Sequence, residues 1–185
     1  MGATTPGNPF YSATYQGTSG LGPNMVLGMV KRVYPTGSTK TGTGVSPPSV
    51  GQIGGAVMLC YNDSGGTLAF GQVVARKVDE TKAHIRKAPT SLNPAGVAGI
   101  VVAPSGIPNG YYGWIAVDGL WNALVGAGNC TKDLGAIVDG TTAGAATNAA
   151  AVTGMSFGFW RETDTSGNTA LLELLPRPGS SAASD

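Results

Sequence analysis

From residue 51 onward the chain alternates short apolar, β-branched runs with turn residues, and this rhythm favours strands over any other element. Ala56 to Tyr61 is apolar and stops at Asn62-Asp63-Ser64-Gly65-Gly66. Thr67 to Lys77 follows, with Leu68, Phe70, Val73 and Val74 suited to a pleated, half-buried surface. Val97 to Ala103 is the next strand, and Pro108-Asn109-Gly110 carries the strongest hairpin signal in the chain. Asn-Gly supplies the positive φ angles of a type I′ turn, which here would join the Val97 run to Tyr112 to Val117. Asp118-Gly119 reads as a second turn, leading to Leu120 to Val125. Gly135 to Val138, Met155 to Thr163 and Thr169 to Leu175 complete the expected strands, the last two linked by Asp164-Thr165-Ser166-Gly167-Asn168. Between them, Ala143 to Ala151 is interrupted by Gly144, Thr147 and Asn148 and repeats no apolar stripe, so a loop or one short helix is expected. The expected fold class is all-β: a small β-barrel or β-sandwich of short antiparallel strands.

Composition matters where it separates this domain from its flanks. Residues 1–50 contain Pro6, Pro9, Pro23, Pro35, Pro47 and Pro48, and one good apolar run, Met25 to Val30, which continues to Tyr34 as a possible strand. Thr36 to Gly44 has no apolar periodicity and cannot bury enough surface to offset its ordering entropy. The segment either stays mobile or orders against a partner. The aromatic residues Phe10, Tyr11 and Tyr15 favour the second outcome and are the candidate partner-binding anchors, because aromatic side chains dominate interface energetics. The expected organisation is an extended Gly/Pro-rich N-terminal arm (1–50), a β-rich core domain (51–176) and a C-terminal tail (177–185).

Charge narrows the function classes. Only 11% of residues are charged, against ~25% in typical domains, and the formal net charge is +1. Nucleic-acid binding concentrates Lys and Arg on one face. Here Arg76, Lys77, Lys82, Arg86 and Lys87 are broken by Asp79 and Glu80, and the cluster reads as a solvated, charged edge. Neither direct nucleic-acid contact nor membrane association is expected, since no run approaches the ~18 apolar residues of a spanning helix. Met1-Gly2-Ala3-Thr4-Thr5-Pro6 lacks a basic start and an apolar run, so the chain is expected to be made in a cytoplasm. Cys60 follows an apolar run and is expected as a buried thiol; its pairing with Cys130 stays open.

The groups needed for catalysis are sparse. His84 is the single histidine, which leaves no His-pair zinc site, and no Gly-x-Ser-x-Gly elbow accompanies it. It is expected at the surface or an interface. Glu162 and Asp164 could share a strand face as a glycosidase-type pair, yet such carboxylates at strand ends are usually solvated. No phosphate loop and no calcium loop is present. Trp114, Trp121 and Trp160 fall in expected strands and read as core first, carbohydrate or partner platform second. The chain is therefore not expected to be an enzyme, and no catalytic residue, cofactor or metal is assigned.

A more specific expectation comes from Gly96-Val97-Ala98-Gly99 through Tyr112-Gly113-Trp114-Ile115-Ala116-Val117-Asp118-Gly119. Gly71-Gln72-Val73-Val74 precedes it; Leu134 to Gly140, Gly154 to Gly158 and Ala170 to Leu175 follow. This order of elements, over residues 68 to 176, resembles that of the head decoration (cement) proteins of tailed bacteriophages. The resemblance implies a non-catalytic virion protein on the capsid exterior, made in the bacterial host. It further implies the major capsid protein as partner, homo-oligomers with a trimer favoured, and stabilisation of the mature shell. Alternatives are another virion part (minor capsid, tail or fibre-associated), a carbohydrate-binding β module and, third, a hydrolase on Glu162 and Asp164.

Overall fold

The computed structural model describes residues 15–16, 27–33, 54–77, 83–149 and 156–175. Its strands are β1 (Tyr15–Gln16), β2 (Val30–Val33), β3 (Gly54–Asn62), β4 (Val73–Arg76), β5 (His84–Lys87) and β6 (Val97–Val101). Then come β7 (Tyr111–Leu124), β8 (Gly135–Val138), β9 (Ala146–Asn148), β10 (Gly158–Trp160) and β11 (Thr169–Leu174). Among the described residues the one helical element is a 3-10 turn, Pro94–Gly96, capped by the Asn93 side chain, which accepts from the Ala95 N–H at 2.9 Å. The all-β expectation holds, and the architecture is a barrel with an added sheet.

The strands follow the order β2-β3-β5-β4-β6-β7-β11-β10-β8-β9, and β3 also pairs with β7. That extra pairing closes β3, β5, β4, β6 and β7 into a five-stranded barrel. One strand is parallel to its neighbour: β5 runs alongside β3, with Tyr61 opposite His84 and Asn62 opposite Ile85. Each barrel strand contributes to one buried cluster, through Met58 and Cys60, Val74, Ile85, Val101 and Ile115. Leu68 and Ile107 belong to the same cluster and bond each other's backbones at 2.9 and 2.7 Å. The fully buried Asn62 donates from Nδ2 to the carbonyls of Ile107 and Gly66, at 2.6 and 2.8 Å, and pins those loops over the end of β3.

The second unit hangs on the far half of β7. β11 pairs with Gly119 to Leu124, followed outward by β10, β8 and β9, and a parallel bridge from Val125 to Ala146 links the two margins. A second cluster fills the space between barrel wall and sheet, with Trp114, Trp121, Trp160, Leu172 and Val138. Burying such side chains is the main favourable term, each worth about 1.5–3 kcal/mol.

Four expectations need correction. Asp118-Gly119 is no turn: β7 runs through it, paired with Ala56 and Gly55, and a bulge lies just before it. Ala56 faces Asp118 and Val57 faces Ala116, so Val117 is the extra residue, while Gly119 takes φ +90°. Extra residues of this kind bend and twist a strand, and here the bend carries β7 from barrel to sheet. At Pro108-Asn109-Gly110 only Gly110 has positive φ (+79°), and the Tyr111 N–H bonds the Pro108 carbonyl at 3.2 Å. That is the pattern of a type II turn, not type I′. The alanine-rich segment contains strand β9, not a helix. Finally, the basic segment is exposed at Arg76, Arg86 and Lys87, but β5 is an interior strand between β3 and β4 and not an edge.

Candidate partner-binding surface

Register brings together four ring-bearing residues that lie far apart in sequence. Tyr15 of β1 faces Tyr112 of β7, Tyr112 faces Tyr61 of β3, and Tyr61 faces His84 of β5. The rings of Tyr61 and Tyr112 lie 5.1 Å apart and tilted at 57°; those of Tyr61 and His84 lie 4.8 Å apart at 43°. Tilted pairs at this separation suit the ring quadrupoles, and neighbouring cross-strand positions are where strands stabilise one another. Tyr61, His84 and Tyr112 are each half-buried, so the row has a solvent-facing side.

Charged groups frame the row. Lys77 Nζ donates to Asp63 Oδ2, and His84 Nδ1 lies 3.9 Å from the same carboxylate. The hydrogen bond from Lys77 leads the effects that hold the Asp63 carboxyl below its usual range. Of the three arm aromatics, Tyr15 is placed by backbone pairing at the end of this row, next to Gln16 opposite Tyr111. Phe10 and Tyr11 lie outside the described residues. Sequence reasoning missed the row because its members come from four strands, and only non-local register aligns them.

Elsewhere, reactive side chains are occupied structurally. Glu162 Oε2 accepts the Leu171 N–H at 2.9 Å. Asp164 Oδ1 accepts from the Thr165 N–H and Asn168 Nδ2, at 2.7 and 2.8 Å. The Asn168 contact is foremost in lowering the Asp164 pKa. Cys60 and Cys130 are both free and buried, in different clusters. Burial pushes both thiols up, so neither carries a thiolate near neutrality. Asp139, 2% exposed, accepts from the Thr141 N–H and hydroxyl and the Thr142 N–H, at 2.8, 2.7 and 2.6 Å. Burial alone would raise its pKa, but these bonds outweigh it and the carboxyl titrates below its usual range. Trp114, Trp121 and Trp160 are at most 3% exposed, so the tryptophans are core residues and offer no glycan platform. No group of three or more His, Cys, Asp or Glu among the described residues is placed to hold a metal. No helix among them is long and apolar enough to cross a membrane.

The fold thus defines a closed five-stranded β-barrel extended by a second sheet, with an aromatic row at one end. No protein-family model and no curated protein matches the chain. Among solved structures it is similar to the crystal structure of the N base of head fiber gp8.5 in bacteriophage phi29. The TM-score is 0.47 at 12% identity, over 64% of this chain and 92% of that one. At that TM-score the likeness carries no residue-level or functional correspondence.

Proposed function

We propose that this chain is a structural component of a tailed-phage head, a decoration protein that binds the major capsid protein on the outside of the mature shell and performs no catalysis. The observation that carries the reading is where the family-like segments fall. Gly71 to Val74, Gly96 to Val102, Tyr112 to Leu120, Leu134 to Gly140 and Ala170 to Leu175 fall in β4, β6, β7, β8 and β11, strands of both units that include the shared β7. A β body with a half-buried aromatic row at one end suits a lattice ligand better than a catalyst. The reading gives the arm residues Phe10, Tyr11 and Tyr15 the anchoring role, and multivalent attachment as a homo-oligomer, trimer favoured, offsets the cost of ordering an arm on binding. Quantitative mass spectrometry of purified particles tests it. A copy number equal to that of the major capsid subunit, or a simple fraction of it, is expected. A handful of copies would move the chain to the tail, portal or a fibre, and absence from the particle would overturn the virion reading.

A further inference from the structure

A chain rearranges spontaneously where Asn or Asp precedes glycine, because glycine has no side chain to keep its backbone nitrogen from the neighbouring side-chain carbonyl. The sequence offers three such places, Asn109-Gly110, Asp118-Gly119 and Asp139-Gly140. The fold closes two of them. Asp118 and Gly119 lie inside β7, paired with Ala56 and Gly55 of β3, and Gly119 also faces Leu174 of β11. Asp139 is buried, and its Oδ1 is engaged by the Thr141 and Thr142 N–H groups. Asn109 is exposed, in the turn that leads into β7.

The exposed site is held at both reacting groups by one segment, residues 62–66. The Gly110 N–H, whose nitrogen would attack, donates to the Asn62 carbonyl at 2.8 Å. Asn109 Oδ1, on the carbonyl that would be attacked, accepts the Gly65 N–H at 2.8 Å. The buried Asn62 side chain anchors the segment in turn, donating to the Gly66 and Ile107 carbonyls and accepting the Ser64 N–H at 3.0 Å. Ring closure needs the Gly110 nitrogen eclipsed with the Asn109 Cβ, about a third of a turn away from the ψ that a type II turn sets. That rotation breaks the bond from Gly110 to Asn62 and the turn's own bond from Tyr111 to Pro108. While the segment is seated the reaction is blocked. It proceeds from the fraction of molecules in which residues 62–66 have lifted off.

We propose that Asn109 is a deamidation site gated by the 62–66 segment, and that its isoaspartate product prevents the segment from reseating. In the open form the Gly110 nitrogen gives its proton to hydroxide and attacks Asn109 Cγ. The new N–Cγ bond closes a five-membered imide. The Cγ–Nδ2 bond breaks, and ammonia leaves with a proton from water, which restores the hydroxide. Water then opens the imide on either side. Cleavage at Cγ gives aspartate, which keeps an oxygen for the Gly65 N–H. Cleavage at the main-chain carbonyl gives isoaspartate, whose backbone runs through Cβ and Cγ. The main chain is then one carbon longer, and the Gly110 N–H no longer meets the Asn62 carbonyl. The inference stands on these contacts and does not depend on the virion reading.

Peptide mapping by mass spectrometry, after incubation of the full chain at mildly alkaline pH, tests it. In denaturant, where nothing holds the turn, Asn109 should convert first among the asparagines. In the folded chain its conversion should be slower by about tenfold or more. Asn62→Ala removes three bonds that anchor the segment and should speed conversion of the folded chain by about tenfold. Trp160→Ala, in the other unit, should change it by less than about twofold. Hydrogen exchange at the Gly110 amide of the unsubstituted chain measures the same opening. The folded rate should equal the denatured rate multiplied by that open fraction, whether or not Asn62→Ala folds. Asn109→Asp should melt with wild type, and the purified isoaspartate form should melt lower. Equal rates in folded and denatured chains overturn the proposal, as does a folded chain that exchanges at Gly110 and never converts. Equal acceleration by Asn62→Ala and Trp160→Ala also overturns it and assigns the rate to global unfolding. An isoaspartate form as stable as wild type overturns the claim that the segment cannot reseat.

Discussion

The barrel and the added sheet use the same strand, β7, and are consolidated by different means. In the barrel each strand places aliphatic side chains in a common interior, and the fully buried polar residue there is the neutral Asn62. In the added sheet β9 and β10 have only three residues each, and loops are tied down by side-chain acceptors. The ionised Asp139 gathers the 139–142 turn, while Asn129 Oδ1 accepts from Ser166 and Asn148 Oδ1 from Thr131, both at 2.9 Å. A closed ring of strands needs little beyond packing and its own ladders. An almost open set of short strands needs its loops fixed individually, and a charged fixer makes stability depend on pH.

The largest test asks whether the two units are energetically separate. Trp160→Ala in the sheet should cost about 3–5 kcal/mol and Ile115→Ala in the barrel about 2–5 kcal/mol. Because β7 is common to both, each variant should lower one cooperative transition followed by both near-UV and far-UV circular dichroism. Two transitions, with only one shifted per variant, would break the unit into independent halves.

A middle-sized effect separates the neutral from the charged fixer. Asn62→Ala leaves buried carbonyls unmet and should cost about 1–3 kcal/mol with little pH dependence of the difference from wild type. Asp139→Asn should cost about 1–2 kcal/mol at neutral pH. Asp139 has a lowered folded pKa, so its contribution is complete above the ordinary carboxylate range and is lost as pH falls through the folded value. The gap between wild type and Asp139→Asn should therefore close on acidification in denaturant titrations. A gap that stays constant down to the acid transition would refute the role given to the charge. The smallest change is expected for Arg161→Ala, whose partners Asp133 and Glu173 are well exposed; its thermal midpoint should match wild type in high salt.

Much of this fold was legible where a strand's own residues specify it. Val97 to Val101 holds three β-branched residues and is uniformly buried, and the run Ala56 to Tyr61 lies inside β3. What escaped was set by partners distant in sequence. β5 has one fully buried side chain, Ile85, among His84, Arg86 and Lys87, so four residues of it show no period. The positive φ that makes Gly119 look like a turn serves equally beside a bulge, and β3 on one side with β11 on the other decides between them. Of the candidate surface, the arm residue Tyr15 was read as an anchor, but Tyr61, His84 and Tyr112 were not joined to it.

One consequence of the shared strand is mechanical. β7 spans 14 residues, roughly 45 Å of extended chain. β3 flanks it up to Leu120, β11 flanks it from Gly119, and the two ladders overlap only at those two residues. Antiparallel hydrogen bonds stand perpendicular to their strands, so tension along β7 loads each ladder in shear, with its bonds sharing the force. The two ladders then act as tethers in series, and force passing between them crosses the splice at Gly119 and Leu120.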